Sequence, residues 1–200
     1  MLATHDRVLS EAIWNTEGSQ LWIKRAVLVV LGVMVLALAA KTKFPIPPSP
    51  VPVTMGTLAV LTIGAAYGPR LGLMTLLAYM FVGALGFDVF ASSTAEKNGL
   101  VYMMGGTGGY LVGYVLAGAA LGYFARKGWD RSVLLMALAM LIGNALIYVP
   151  GLLWLNQFAE SWAQTFAWGI TPFLIGDAMK LALAALLVPG LWKLIGNART

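Results

Sequence analysis

The sequence reads as an all-α integral membrane protein with six transmembrane helices and both termini cytoplasmic. Hydrophobic residues fill 60% of its 200 positions and charged residues only 10%, whereas a soluble surface takes about 25% charged residues. The mean hydropathy is +0.81, and the apolar residues gather in long runs punctuated by Gly, Pro and charge. Lys and Arg stand singly or in pairs at the ends of those runs, as topology signals do. The net charge of +5 therefore implies no nucleic-acid partner. Cysteine is absent and His5 is the only histidine, which excludes disulfides, thiol catalysis and Cys- or His-based metal sites.

Two regions follow. Residues 1–21 form an amino-terminal cytoplasmic segment, and residues 22–200 one six-helix membrane domain. Within residues 4–17, the recurrence of Val8, Leu9, Ala12 and Ile13 fits a short amphipathic helix on the membrane surface. A flexible solvated tail is the competing description, because Asp6, Glu11 and Glu17 weaken attraction to anionic lipid. Trp22, Lys24 and Arg25 anchor the first span, about 24–40. A cleaved signal peptide ending near Ala37-Leu38-Ala39 is its alternative.

Residues 41–53, KTKFPIPPSPVPV, hold five prolines and read as a stiff extended loop, either a spacer or the wall of a cavity. The second and third spans, 54–67 and 71–87, flank a tight turn at Gly68-Pro69-Arg70. A long mixed loop with Asp88, Phe90, Glu96, Lys97, Asn98 and Tyr102 leads to Gly105. The fourth span, 107–125, carries Gly109, Gly113, Gly118 and Gly122, small residues that permit close helix packing. The backbone of Gly105 to Gly109 is also open to a ligand's polar group. The fifth span, 133–149, contains Asn144 and Tyr148 and ends at Pro150-Gly151. An aromatic stretch with Trp154, Phe158, Trp162, Phe166 and Trp168 reads as an interfacial helix or cap. The sixth span covers 172–192.

Counting cations fixes the orientation. Arg7, Lys24, Arg25, Arg70, Arg126, Lys127, Arg131, Lys193 and Arg199 fall on the side of the amino terminus, and only Lys41, Lys43 and Lys97 on the other. The side rich in Lys and Arg is cytoplasmic. The Pro-rich loop, the mixed loop, the aromatic stretch and the start of the sixth span then share the outer side.

That last start holds the one pair of charges inside a span, Asp177 and Lys180, three residues apart and so on one helical face. Either charge near a bilayer centre costs about 2.5–3.5 kcal/mol on insertion scales, so the pair requires partners or a polar cavity. An ionised Asp accepts hydrogen bonds and a Lys donates them. Together they suit a small, partly apolar, weakly anionic metabolite that offers both N–H and carbonyl or carboxylate groups. Two other uses remain open: a membrane enzyme with Asp177 as acid or base, and a scaffold in which the pair only holds helices together. The enzyme lacks a second converging carboxylate other than Asp88.

Five separated motifs carry a resemblance. PVPVTMGTLAV, GPRLG, GGTGGYLVGY, YVPGLLWL and PFLIGDAMK, in that order between about Pro45 and Ala185, resemble the successive motifs of the BioY family, the biotin-binding S components of energy-coupling factor (ECF) transporters. The resemblance implies an S-component fold in the inner cell membrane, multi-pass and surrounded by lipid. It implies capture of external biotin as a transported ligand, with no cofactor. It implies partners too: a transmembrane T subunit and two ATPase subunits. The chain has no GxxxxGK[ST] loop of its own for ATP. A homo-oligomer acting alone stays open. In the family the final Asp and Lys belong to the binding site, so Asp177 and Lys180 inherit that role. Asp177 would accept from the ureido ring, and Lys180 would donate to its carbonyl or to the carboxylate tail. Asn98 and the turn Thr107, Gly108, Gly109, Tyr110 would add polar contacts, with Phe90, Tyr148 and Trp154 as walls. Gly56 stands where the family often has glutamine, and Gly106 where it often has proline. The AxxxA spacing by which S components commonly dock is missing from the first span.

Overall fold

The computed structural model describes residues 7–14, 18, 20–44, 51–94 and 96–197. His5, the ends of the expected amphipathic segment and the centre of the Pro-rich loop lie outside the described residues. The order is α1 (Leu9–Ile13), α2 (Gln20–Lys41), β1 (Lys43–Phe44), β2 (Val53–Thr54), α3 (Gly56–Ala84), α4 (Gly99–Met103), α5 (Gly108–Arg126), α6 (Val133–Leu155), α7 (Trp162–Gly169) and α8 (Leu174–Asn197). Among the described residues, five stretches are long and apolar enough to cross a bilayer. The 22 residues of α2 would reach about 33 Å, close to the hydrocarbon thickness of about 30 Å.

The 29 residues of α3 are not one straight rod. Gly68 adopts φ 77° and ψ 178°, a left-handed φ that favours glycine. Beyond it, a Cβ added to Gly72 would lie 3.3 Å from the Gly64 Cα, whereas residues eight apart on a straight helix are separated by about 12 Å. The chain therefore doubles back at Gly68, the first residue of the expected turn. Pro69 opens the second arm, where its missing N–H is one that a helix leaves unpaired anyway.

Helix α5 is the centre of the packing, set between α3 and α6 at backbone contact. A Cβ on Gly113 would come 2.7 Å from the Ile147 Cα of α6, and one on Gly64 would come 2.6 Å from the Gly118 carbonyl oxygen. Small residues let these backbones approach where no hydrophobic drive exists between lipid-bathed helices. Leu61, Leu121, Met136, Met140 and Ile147 fill the resulting core. Large apolar side chains point outward instead on α2 (Ile23, Val30, Leu38), α6 (Leu134, Leu141, Leu153) and α8 (Ile175, Met179, Leu186). They form a surface suited to lipid.

Several boundaries differ from the sequence expectation. Helix α6 does not stop at Pro150 but continues to Leu155. A mid-helix proline costs about 3 kcal/mol; here the continued turn seats Gly151 beneath the Tyr110 ring, where a Cβ would be 2.6 Å from Cδ1, and buries Leu155 completely. Helix α3 stops at Ala84, short of Phe87, because Gly86 takes φ 94° and the chain turns Phe90 back onto Gly83. Helix α8 begins at Leu174 after a 3-10 turn at Thr171–Phe173 and runs through Pro189 to Asn197. The aromatic stretch contains α7, capped by the Ser161 hydroxyl, which accepts from the Gln164 N–H.

The amino-terminal helix α1 docks on the bundle through its apolar residues. Val8 and Leu9 are buried in the main core, and Val8 faces Gly68. Glu11 is paired with Arg126 at the end of α5. A five-residue helix cannot bury an apolar face on its own, so docking across the end of the bundle is what holds it. At that same end Asp130 is buried and accepts from the Trp192 indole N–H of α8, while Arg131 lies over the Trp192 ring at 4.3 Å. Burial pushes the Asp130 carboxyl up to about 6, outweighing the Trp192 bond and the Arg131 charge that pull it down.

Gly113→Ala should cost about 1–3 kcal/mol by overpacking, read as a lowered thermal midpoint of the detergent-purified protein. Because the folded Asp130 binds its proton more tightly than the unfolded one, stability should fall as pH rises from about 4 to 6 and level off above. Asp130→Asn should flatten that slope in melts recorded across the window.

Candidate functional site

At the end of the bundle opposite α1 and Asp130, the last residues of α2, the starts of α3, α5 and α8, and the carboxy-terminal half of α6 converge. Between them lies an enclosed cavity with about 60 Å³ open to the centre of a water molecule. Aromatic rings form a large part of its walls. Tyr110 and Tyr114 come from α5, Tyr79 from the second arm of α3, Tyr148 from α6, and Phe90 and Tyr102 from the mixed loop. Phe90 stacks on Tyr102 with ring centroids 5.0 Å apart and meets Tyr79 edge-on at 5.4 Å. Such arrangements suit the ring quadrupoles and fix each ring. Tyr79 and Tyr110 are further held by their hydroxyls, which donate to Val89 O and Gly169 O at 3.0 and 2.9 Å.

The polar end of the cavity is built on α8. The Lys180 ammonium donates to Asp177 Oδ1 at 2.9 Å and to Thr57 Oγ1 at 3.0 Å. Asp177 also accepts from the Thr57 hydroxyl at 3.3 Å and, at Oδ2, from the Tyr148 hydroxyl. Both charges are more than nine-tenths buried. Desolvating an ion costs several kcal/mol, and a buried pair persists only with good geometry and further hydrogen bonds; Thr57 and Tyr148 provide them. Lys180, Thr57 and Tyr148 face the cavity, whereas Asp177 stands behind them. Two of the three ammonium protons are engaged within the protein, so one is left for an occupant.

The loop over the cavity is tied to α2. Lys41 pairs with Asp88 at 2.5 Å and donates to Ser93 Oγ at 3.3 Å. The Ser93 hydroxyl reaches Asp88 and, at 2.9 Å, the carbonyl of Phe90. These bonds from Lys41 and Ser93 hold the Asp88 carboxyl below the usual carboxylate range. They also brace Phe90 against the cavity.

Of the residues expected from sequence, Lys180, Thr107, Tyr110, Phe90 and Tyr148 line the cavity and Asp177 bonds to three residues that line it, Thr57, Tyr148 and Lys180. Gly108, Gly109 and Trp154 do not line it. A Cβ on Gly108 would meet Trp154 Nε1 at 3.0 Å, and that indole N–H donates to Gly105 O at 2.8 Å. This group packs α5 onto α6. Asn98 is the residue before α4 and stands 3.7 Å from the Cβ position of Gly86, outside the cavity wall. Sequence reasoning missed Thr57, Tyr79, Tyr102, Tyr114 and Thr54. Position 56 is closed by two of them: a Cβ there would meet Tyr114 Oη at 2.8 Å and Thr54 Oγ1 at 3.0 Å.

Residues 10–197 match the BioY family. This chain belongs to that family. A protein of Pyrococcus horikoshii described as "Probable biotin transporter BioY" is 32% identical over 87% of this chain and 98% of its own length. The "Biotin transporter BioY" of Thermotoga maritima is 30% identical over 84% of this chain and 96% of its own. A crystal structure of the S component for biotin from an ECF-type ABC transporter superposes with a TM-score of 0.77, at 20% identity, over 89% of this chain and 95% of that one. At that identity the match establishes the shared fold. Both relatives are described as biotin transporters, not as enzymes.

Thr57→Val keeps the shape of the side chain but removes one bond to each member of the buried pair. It should cost about 1.5–3 kcal/mol, the range for hydrogen bonds to charged groups, seen as a lower thermal midpoint; an unchanged melt would mean that the pair stands without it.

Proposed function

We propose that this chain is the biotin-capturing S component of an ECF-type transporter, and that the enclosed cavity is its biotin site. The observation that carries the proposal is the Lys180–Asp177–Thr57–Tyr148 cluster at the polar end of an aromatic cavity, in a chain of the BioY family. Biotin has a ureido group with two N–H donors and a carbonyl, a compact apolar bicycle and a carboxylate tail. The rings of Phe90, Tyr102, Tyr110 and Tyr148 suit the bicycle. The remaining Lys180 proton suits the ureido carbonyl or the carboxylate. Asp177 holds Lys180 and Tyr148 in position, and accepts from a ureido N–H once Tyr148 turns aside.

The chain crosses the membrane six times, with α3 contributing both arms of its hairpin. Its termini are cytoplasmic. Support for this orientation comes from the cations: Lys24, Arg25, Arg70 and Arg126 surround one hollow, and Arg7, Arg131 and Lys193 another, both at the end away from the cavity. The cavity then opens outward, and biotin enters as Val51 and Tyr102 part. Inward delivery draws on ATP hydrolysed by separate subunits joined through a T subunit. The enzyme alternative finds no carboxylate in the cavity wall among the described residues, Asp177 standing behind it.

Purified protein in detergent should bind tritiated biotin saturably, near one per chain, with unlabelled biotin competing. Asp177→Asn should weaken that binding at least tenfold while the protein still elutes as a folded species on size exclusion. A scaffold role makes the opposite forecast, since replacing Asp177 and Lys180 together by Leu and Met would then leave biotin binding intact.

A further inference from the structure

Beside the enclosed cavity lies a more open one of about 310 Å³. Val51, Tyr102 and Thr107 stand in the walls of both, so these three side chains form the partition between them. Tyr102 is the centre of that partition. Its ring stacks on Phe90, and its hydroxyl bonds to the Thr107 side chain and accepts the Ser92 N–H at 3.4 Å. A solute passing from the outer space to the inner one must move past Tyr102 and Val51.

Among the described residues, Lys97 is the only charged side chain in the outer wall. Its backbone is fixed by a reciprocal pair: Lys97 N–H donates to Thr94 Oγ1 at 3.1 Å, and Thr94 N–H donates to Lys97 O at 3.0 Å. Lys41, another cation at this end, is neutralised by Asp88. The neighbouring Glu96 is exposed and is not part of the wall. The outer cavity therefore presents one positive charge to solvent directly in front of the partition.

We propose that this outer cavity is an encounter site for the carboxylate of the incoming ligand, with Lys97 drawing the anion in before the Tyr102–Val51 partition opens. The proposal rests on the inner cavity being the biotin pocket. A cation in a concave site raises the local concentration of an anion and its rate of association, more than it strengthens the final complex. The ligand's tail waits on Lys97 while its bicycle faces the aromatic partition, the order in which an apolar head would have to enter. Beyond about 8 Å the attraction is screened at physiological salt, so the effect belongs to capture at the mouth and depends on ionic strength.

Stopped-flow association of biotin with the full chain in nanodiscs tests this, alongside biotin methyl ester, which has no charge. At low ionic strength Lys97→Gln should slow association of biotin several-fold and Lys97→Glu up to about tenfold, Lys97→Arg should keep the native rate, and all should converge at high salt. Dissociation rates and association of the ester should stay as in the native protein. Equal biotin association rates for the native, Gln and Glu forms at low salt would overturn the proposal, as would an equal loss with the ester. Failure of the folded native protein to bind biotin at all would instead remove the inner-pocket assignment, and this one with it.

Discussion

A carboxylate and an ammonium buried within one turn of a helix set the terms for the whole cavity end of the bundle. Alone, each ion would forfeit several kcal/mol of hydration, and their mutual attraction would not guarantee recovery of it. Thr57 on α3 and Tyr148 on α6 share the pair with α8. Three helices are therefore held in register by four polar side chains. The same bonds leave Lys180 aimed into the cavity, so the requirement for stability and the capacity to bind arise from one arrangement.

That arrangement needs space beside it, which the glycines of α5 control. Where Gly113 and Gly118 bring backbones together, no cavity can form. Interleaved with these small residues are Tyr110 and Tyr114, whose side chains line the pocket, while Gly109 keeps α5 against Pro150 of α6. The loop that covers the pocket is then anchored by Lys41, Asp88 and Ser93, and by the seating of Phe90 on Gly83. Close packing and an aromatic cavity wall come from a single helix sequence.

How much of this the sequence discloses depends on the kind of signal. Asp177 and Lys180 stand out because charge is rare in an apolar run, and their spacing places them on one face. Gly68-Pro69 marks a reversal because both residues restrict or release backbone angles in known ways. The four-residue glycine spacing identifies α5 as a packing helix. Thr57, Tyr79 and Tyr102 carry no comparable signal, since threonine and tyrosine occur in apolar helices for many reasons and their partners are distant in the chain. Tyr114 was more accessible: it lies four residues after Tyr110, on the same face. Pro150 misled in the opposite direction, because its local penalty was visible and the burial of Leu155 that offsets it was not. The docking of α1 was hidden too, as Val8 and Leu9 pack against the distant Gly68 reversal.

The outward faces of α2, α6 and α8 have a consequence for how such a chain diverges. Lipid asks only that Ile23, Leu38, Leu134, Leu153, Ile175 or Leu186 be apolar, not that they have one shape. Exchanges among Leu, Val, Ile, Met and Phe at those positions move no helix, whereas an added methyl at Gly64 or Gly113 strikes backbone. Change at the rim of the bundle leaves the geometry of its centre alone, and this chain superposes with a TM-score of 0.77 on one that shares only 20% of its residues.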